Sequence, residues 1–176
     1  PVVFESATVG GMGPQAMTFD SSSNKVVINY IDEGDSNKAK SIIGTVSGTS
    51  ISFGTAVTFA NYAVYETIGS CFDTTVNKVI IVWSKSTDAN NGYAIVGTVS
   101  GTGISFGSEA SFESGETKYS VCAYDSVNNK TVIAYRDNAD GKKGKAVEVL
   151  LFLTLRQVVQ ILAMLVLLMI LALEKC

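Results

Sequence analysis

Histidine is absent from this 176-residue chain, which also has only two prolines and three cysteines. The missing histidine excludes the commonest general base and the commonest zinc ligand in proteins. The cysteines form an odd set without metal-like spacing, so the sequence predicts neither a disulfide framework nor a zinc site. A net charge of −3 gives no basic surface for nucleic acid. We therefore expect no nucleic-acid partner and no cofactor.

What the chain does contain is a repeat. The phrase GTVSGTSISFG at residues 44–54 returns as GTVSGTGISFG at residues 97–107, which is 53 residues later. A second phrase occurs three times, as FDSSSNKV at 19–26, FDTTVNKV at 72–79 and YDSVNNKT at 124–131. Two interleaved phrases with one period indicate tandem copies of a single unit. The predicted units are repeat 1 (1–54), repeat 2 (55–107) and a truncated repeat 3 (108–146).

Each unit is predicted to contain four strands. A short strand comes first, and a second strand ends at an aromatic–Asp pair. A turn of Asp, Ser and Asn leads into an apolar strand, and a polar loop leads into the fourth. A Ser-Gly turn then folds the chain back through Ile-Ser-Phe, whose alternation suits an outer, half-buried strand. Four strands per unit of this length predict an all-β fold of β-propeller-like tandem blades.

The order of the phrases resembles the bacterial-neuraminidase-type repeat of sialidase-like propellers over residues 1–146. Residues 47–53 occupy the place of that family's Asp-box, although the turn aspartate is absent and Phe53 replaces the usual tryptophan. The amino-acid sequence of the repeat is also similar to tandem tracts in phage tail-fibre-like and large adhesin-like proteins. Three blades rarely close a propeller, for which about four to eight are usual. We therefore expect further blades or self-association to complete it.

The composition changes abruptly at residue 150, where leucine becomes dominant and residues 161–173 are apolar without a break. One interpretation is a helical membrane segment at about 158–173, which is shorter than the ~20 residues that a bilayer requires. Another interpretation is a frameshift. Moved one nucleotide upstream, the codons of residues 150–156 permit Pro-Val-Val-Phe-(Asn or Asp)-Ser-Ala, which matches residues 1–7 except at Glu5. Our hypothesis is that residues 147–176 are a frameshifted fourth repeat, and the coding DNA tests it.

Three aspartates recur at the same repeat position, immediately before a turn. They are Asp20, Asp73 and Asp125. A carboxylate at the start of a turn commonly accepts hydrogen bonds from turn amides, so we expect a structural role for all three. No residue is predicted to be catalytic.

Polar loops follow the apolar strands and vary most between the copies, so we expect ligand recognition there. The candidate ligand-binding residues are Asp32, Asp35, Asp88, Asn90, Asp137 and Asp140. These loops lack the alternating aspartates and the closing glutamate of an EF-hand, so no metal site is predicted.

Aromatic residues close the third strand of each unit, at Tyr30, Trp83 and Tyr135. Stacking on a sugar is one interpretation, and packing between sheets is the one we favour. Cys71 and Cys122 are one position out of register within their repeats. We expect them to face opposite sides of their strands as separate buried thiols.

Together these features predict a non-catalytic repeat module that belongs to a larger surface, virion or adhesin-type protein. It would bind a glycan or another cell-surface ligand through blade-end loops, in an extracellular or virion-associated location. Sialidase activity needs an arginine cluster, whereas the sequence holds only Arg136 and Arg156. One alternative is a fragment of a sialidase-like glycoside hydrolase whose active-site blades lie elsewhere. The other is a protein anchored in a membrane by its C-terminal tail, which holds only if the tail is genuine.

Overall fold

The structure, a computed structural model, describes residues 1–10, 16–64 and 67–149, which form three antiparallel sheets. Sheet 1 contains β1 (Ala16–Asp20), β2 (Lys25–Asp32), β3 (Lys38–Ser47), β4 (Ser50–Phe53) and β5 (Val57–Ala63). Sheet 2 contains β6 (Gly69–Asp73), β7 (Lys78–Lys85), β8 (Asn91–Ser100), β9 (Gly103–Phe106) and β10 (Ala110–Glu113). Sheet 3 contains β11 (Thr117–Asp125), β12 (Lys130–Asp137) and β13 (Lys143–Val149). A 3-10 turn at Glu33–Asp35 follows β2. The predicted all-β class is confirmed.

The apolar tail was predicted to begin at residue 147. Strand β13 runs past that position, because Val147 pairs with Ile133 and Val149 with Thr131 in regular antiparallel register. The membrane-helix and frameshift hypotheses concern residues that lie mainly outside the described part of the chain. Within the described part, no helix has the length and the apolar character needed to span a membrane.

Two turns recur and fix the register of the strands. Asn24, Asn77 and Asn129 each end the turn before the apolar strand with φ between 54° and 56°. Asparagine tolerates this left-handed conformation better than most residues. At the Ser-Gly turns, Gly48 and Gly101 have φ of 59° and 61°. Two-residue hairpins need such a φ, so β4 and β9 fold back as outer strands on β3 and β8, as predicted.

The first strands of repeats 2 and 3 each belong to the sheet of the repeat before, whereas the predicted first strand of repeat 1 at residues 2–4 is not formed. Strand β5 begins repeat 2 in the sequence, yet it pairs with β3 of sheet 1 through Val57↔Ser41 and Thr58↔Lys40. Strand β10 begins repeat 3 and pairs with β8 of sheet 2 through Ala110↔Ala94. The outer edge of β3 is therefore shared by β4 and β5, and the sequence repeats are offset from the sheets. This exchange ties each sheet to the next.

The core lies between the sheets, and β7 contributes both of its faces to it. One face joins a cluster with sheet 1 that includes Val27, Ile31, Ile43, Val79, Ile81 and Trp83. The opposite face joins a cluster with sheet 3 that includes Ile80, Val82, Ile133 and Tyr135. Side chains alternate between the two faces of a strand, so a continuous apolar run is what a strand between two sheets requires. Burial of each such Val or Ile side chain contributes roughly 1.5–3 kcal/mol.

A phenylalanine near the start of each repeat packs on the closing aromatic of the same repeat. The ring of Phe59, on β5 of sheet 1, lies 5.3 Å from Trp83 and 5.7 Å from Phe106 in sheet 2. Phe112, on β10 of sheet 2, lies 5.3 Å from Tyr135 in sheet 3. Phe4 contacts Tyr30 at 5.2 Å in the same way. The edge-on and tilted contacts of Phe59 and Phe112 join neighbouring sheets.

Candidate functional site

The repeated aspartates lie at one end of the strands and bind their own turns. Asp20 Oδ1 accepts the N–H groups of Ser22 at 2.9 Å and Ser23 at 3.1 Å. Asp73 Oδ1 accepts those of Thr75 and Val76, and Asp125 Oδ1 those of Val127 and Asn128. Each is the geometry of an Asx turn. These carboxylates are engaged in shaping the hairpins.

The polar loops at the other end form one continuous surface. We call it the loop surface, and it consists of residues 33–37, 86–90 and 138–142 with the connecting residues 63–64 and 114–119. The loops contact one another through the connecting residues. Val64 N–H donates to Asn37 O at 2.8 Å, and the Ser86 hydroxyl donates to Ala63 O. Thr117 N–H donates to Asn90 O at 2.9 Å, and Asn138 N–H donates to Glu116 O at 2.8 Å.

In the first loop a lysine bridges two of the candidate aspartates. Lys40 Nζ lies 2.7 Å from Asp32 Oδ2 and 2.9 Å from Asp35 Oδ2. Asp32 Oδ1 also accepts the N–H of Asp35 at 3.1 Å, which closes the 3-10 turn. Hydrogen bonds from Lys40 and Lys38 lower the pKa of Asp35. The two carboxylates thus already share a cation supplied by the chain.

The third loop repeats this arrangement. Lys145 Nζ lies 2.6 Å from Asp137 Oδ2 and 3.3 Å from Asp140 Oδ2. Asp137 Oδ1 accepts the N–H of Asp140 at 2.9 Å. The hydrogen bond from Lys145 lowers the pKa of Asp137, and hydrogen bonds from Lys143 and Lys145 lower that of Asp140. Sequence reasoning selected the aspartates of both loops and missed the lysines, although Lys40 and Lys145 each stand eight residues after the first aspartate.

The middle loop has a different chemistry at the same positions. Lys85 replaces the first aspartate and forms an ion pair with Glu109. Tyr93 replaces the bridging lysine, and its hydroxyl donates to Asp88 Oδ2 at 2.7 Å. Lys85 Nζ lies 4.7 Å from the centre of the Tyr93 ring, which is cation–π distance. Asn90 has φ 60° and offers its carbonyl to Thr117.

An exposed aromatic residue that sequence reasoning missed lies beside the third loop. Tyr119 is 56% exposed, and it occupies a β-bulge of β11 with φ 57°. The Arg136 guanidinium lies 4.6 Å from the centre of its ring and donates through Nε to Asn138 Oδ1 at 2.8 Å. A bulky residue with positive φ is strained, and such strain clusters at functional sites. No sequence motif marks this position, because the bulge depends on pairing with β12.

The closing aromatics are core residues, as favoured. Tyr30 and Trp83 are fully buried, and Tyr135 is 7% exposed. The hydroxyl of Tyr30 donates to Glu5 Oε2 at 3.0 Å, and that of Tyr135 donates to Glu113 Oε2 at 2.6 Å. These glutamates were not predicted, yet each directly follows the phenylalanine of its repeat. Burial and the bond to Glu113 raise the pKa of Tyr135 to about 12.

The two described cysteines are free thiols, as expected, and they lie at one core cluster. Cys71 belongs to the core cluster between sheets 2 and 3, and Cys122 packs against the same cluster. The neighbouring Cys71 thiol and burial raise the pKa of Cys122. The predicted opposite facing brings the thiols together, because opposite faces of adjacent sheets point at each other.

Among the residues that the structure describes, no group of three or more His, Cys, Asp or Glu side chains is arranged to hold a metal ion. Comparison of the chain with protein families, with curated proteins and with solved structures finds no match.

Proposed function

We propose that this chain is a non-catalytic, β-propeller-like repeat module of the sialidase-like type, which binds a glycan or protein ligand through the loop surface. It would serve within a larger surface, virion or adhesin-type protein outside the cell. The observation that carries the proposal is the contrast between constant sheets and variable loops. The three repeats share turn and core positions, while the loop surface carries a lysine–aspartate bridge in repeats 1 and 3 and a tyrosine–aspartate contact beside a lysine in repeat 2. Binding residues commonly lie on such loops over a rigid scaffold.

The region of the loop surface around Tyr119 suits a glycan best. The Arg136 guanidinium covers one face of the exposed Tyr119 ring, which leaves the opposite face for a sugar, and Arg136 and Asn138 supply polar groups next to it. Of the candidate aspartates, Asp140 lies in the third loop, whereas Asp137 ends β12 and is buried. Aromatic rings with adjacent polar groups combine apolar contact with hydrogen bonding at little entropic cost. In this proposal Tyr119 is the stacking residue.

A hydrolytic function has weaker support. A sialidase binds the substrate carboxylate through several arginines, and this sequence holds only Arg136 and Arg156. Arg136 is engaged with Tyr119 and Asn138. No observation in the described residues favours the sialidase-fragment or the membrane-anchored alternative.

A glycan array tests the proposal with the intact chain and two matched variants. Tyr119→Ala removes the ring on the loop surface, whereas Tyr124→Ala removes a tyrosine at the opposite, turn end of the same strand. We expect binding that Tyr119→Ala reduces at least about tenfold, the equivalent of about 1.4 kcal/mol, and that Tyr124→Ala leaves unchanged. An array without hits, or equal effects of the two variants, would contradict glycan recognition at this surface.

A further inference from the structure

We infer that a second copy of this chain docks head to tail on the first, with residues 2–4 of one copy adding as a strand to β13 of the other. This inference rests on the proposed repeat module and names a partner for its open ends. The template for the contact lies within the chain itself, in the strands that repeats 2 and 3 give to the sheets before them.

The two internal exchanges define which residues would pair. In β5, Val57 pairs with Ser41 and Thr58 with Lys40. Phe4 occupies the repeat position of Phe59, since it packs on Tyr30 and Phe53 as Phe59 packs on Trp83 and Phe106. Residues 2 and 3 therefore correspond to residues 57 and 58. Their partners by register would be residues 146 and 145 of β13.

Both halves of this pairing are open in the described part of the chain. Val2 and Val3 are 54% and 75% exposed and belong to no strand. Strand β13 is the edge of sheet 3, with β12 as its partner among the described residues. The equivalent edges of β3 and β8 each accept the first strand of the next repeat. An unpaired edge is a template for addition of a strand from another chain.

A small residue marks the place for the incoming phenylalanine, and it is Ala39 in β3 and Gly92 in β8. A Cβ at Gly92 of β8 would lie 2.5 Å from the Phe112 ring, so glycine leaves room for that ring over the strand. Gly144 holds the same register position in β13, opposite Arg136 as Gly92 is opposite Ser84. A Cβ at Gly144 would meet no described atom within 4 Å. Phe4 of a second copy would fill this space.

The outer faces of sheets 1 and 3 expose apolar side chains that a docked copy would cover. Phe19 corresponds to Phe72, which packs on sheet 1 and is 8% exposed, whereas Phe19 is 53% exposed. Met17 and Val46 beside it are 69% and 56% exposed. At the other end, Val121 and Val132 of sheet 3 are 54% and 39% exposed.

Two polar residues make the end-to-end contact weaker than the internal ones. On the outer face of sheet 3, Glu148 stands where sheet 1 has Ile43, and Arg136 stands where it has Ile31. Arg136 also contacts Tyr119, so a docked copy and a glycan at Tyr119 would compete for this face. The contact would therefore bury less apolar surface than the internal contacts, and association should depend on concentration. It also joins unlike ends, so it leaves one end of each kind free and can extend into longer assemblies.

Complementation between two variants tests the inference by sedimentation velocity, from about 1 µM to about 1 mM protein. We call the outer side of sheet 1 the head of the contact and the outer side of sheet 3 its opposite end. Phe19→Asp places a charge on the head, and Gly144→Leu fills the position for the phenylalanine ring at the opposite end. Val127→Asp is the matched control, because Val127 is 86% exposed in a turn. We expect the average mass of the wild type and the control to rise above the 18.6 kDa monomer, while each end variant alone stays monomeric. An equal mixture of the two end variants should form a dimer and stop there.

Several outcomes would overturn the inference. A wild type that is monomeric throughout, or whose association neither end variant reduces, excludes this contact; the latter would point to residues 150–176. Self-association of Gly144→Leu alone would indicate a symmetric head-to-head dimer instead. Met17→Asp provides a second head variant if Phe19→Asp does not fold by circular dichroism. A monomeric wild type that still binds glycans through Tyr119 would end this inference and leave the proposed function in place.

Discussion

The middle repeat and its two neighbours bury the closing aromatic in the same position but pair its polar atom with different side chains. In repeats 1 and 3 the closing aromatic is a tyrosine whose hydroxyl donates to a glutamate. In repeat 2 it is Trp83, whose indole N–H donates to the hydroxyl of Tyr62 at 3.2 Å. Alanine, Ala60, stands there in place of the glutamate. The position thus requires a large aromatic body and a partner for one polar atom, and the identity of the pair is free to change.

The loop of repeat 2 likewise differs from the loops of repeats 1 and 3. Repeats 1 and 3 place a lysine between two aspartates, whereas repeat 2 places a tyrosine beside one aspartate and a lysine. The turn aspartates, in contrast, accept the same two amides in all three copies. The fold therefore constrains the turn end more tightly than the loop end, and this leaves the loop end available for recognition.

We expect the closing aromatic to contribute most to the free energy of unfolding in the middle repeat. Trp83 is fully buried between sheets 1 and 2, so Trp83→Ala should lower the free energy of unfolding by about 3–5 kcal/mol. Tyr135→Ala should cost less, because Tyr135 packs on one phenylalanine and sheet 3 is covered on one face. Urea unfolding followed by circular dichroism measures both. Equal losses of unfolding free energy for the two variants would contradict a larger contribution from the aromatic between sheets 1 and 2.

The turn aspartates should differ in the same direction. Asp73 is 3% exposed, whereas Asp125 makes its bonds in an exposed turn. Asp73→Ala should cost about 1–3 kcal/mol, because a buried carboxylate that accepts two turn amides is removed. Asp125→Ala should cost less, since water can replace the lost carboxylate. Glycan binding should survive both substitutions, and loss of binding by a folded Asp73→Ala protein would contradict a purely structural role.

Removal of one hydroxyl should have a smaller effect. Tyr135→Phe deletes the bond to Glu113 and keeps the packing, so we expect a loss of about 0.5–1.5 kcal/mol near neutral pH. The folded state raises the pKa of Tyr135 to about 12, so this contribution is present below the ordinary tyrosine pKa and lost as pH rises towards 12. Unfolding measured between neutral and alkaline pH should show the wild type and variant converging. A difference in unfolding free energy that stays constant with pH would show that ionisation of Tyr135 does not remove the contribution of its hydroxyl.

The outer loops should confer sensitivity to acid. Lys145 lowers the pKa of Asp137 below its ordinary value, so the ion pair stabilises the fold above that value and ceases to do so as pH falls through the lowered pKa. Lys145→Met should therefore weaken the fold slightly at neutral pH and flatten the loss of stability between neutral and acidic pH. Lys40→Met should behave alike. Thermal unfolding as a function of pH measures the profiles, and parallel curves for wild type and variants would refute this assignment.

The sequence predicted local features well, because they depend on neighbouring residues. The Asp–Asn turns, the Ser-Gly hairpins and the apolar strands are each encoded within about eight residues. The pairing of β5 with β3 was not predicted, since it joins residues of different repeats. The lysine bridges escaped notice for a different reason. Lys40 and Lys145 stand on the strand after the loop, and the pairing of that strand with the one before the loop brings each lysine to its aspartates. The meeting of Cys71 and Cys122 depends on which faces of adjacent sheets oppose each other, and the register within one repeat cannot show this.

The central claim is that repeats 2 and 3 each give their first strand to the sheet before, so that the sheets are linked through that exchange. Nuclear Overhauser effects in the isotope-labelled protein measure this directly. We expect contacts between the backbone protons of residues 57–58 and 40–41, together with contacts from the Phe59 ring to Trp83. Contacts that instead place residues 57–58 against a strand of sheet 2 would contradict the exchange.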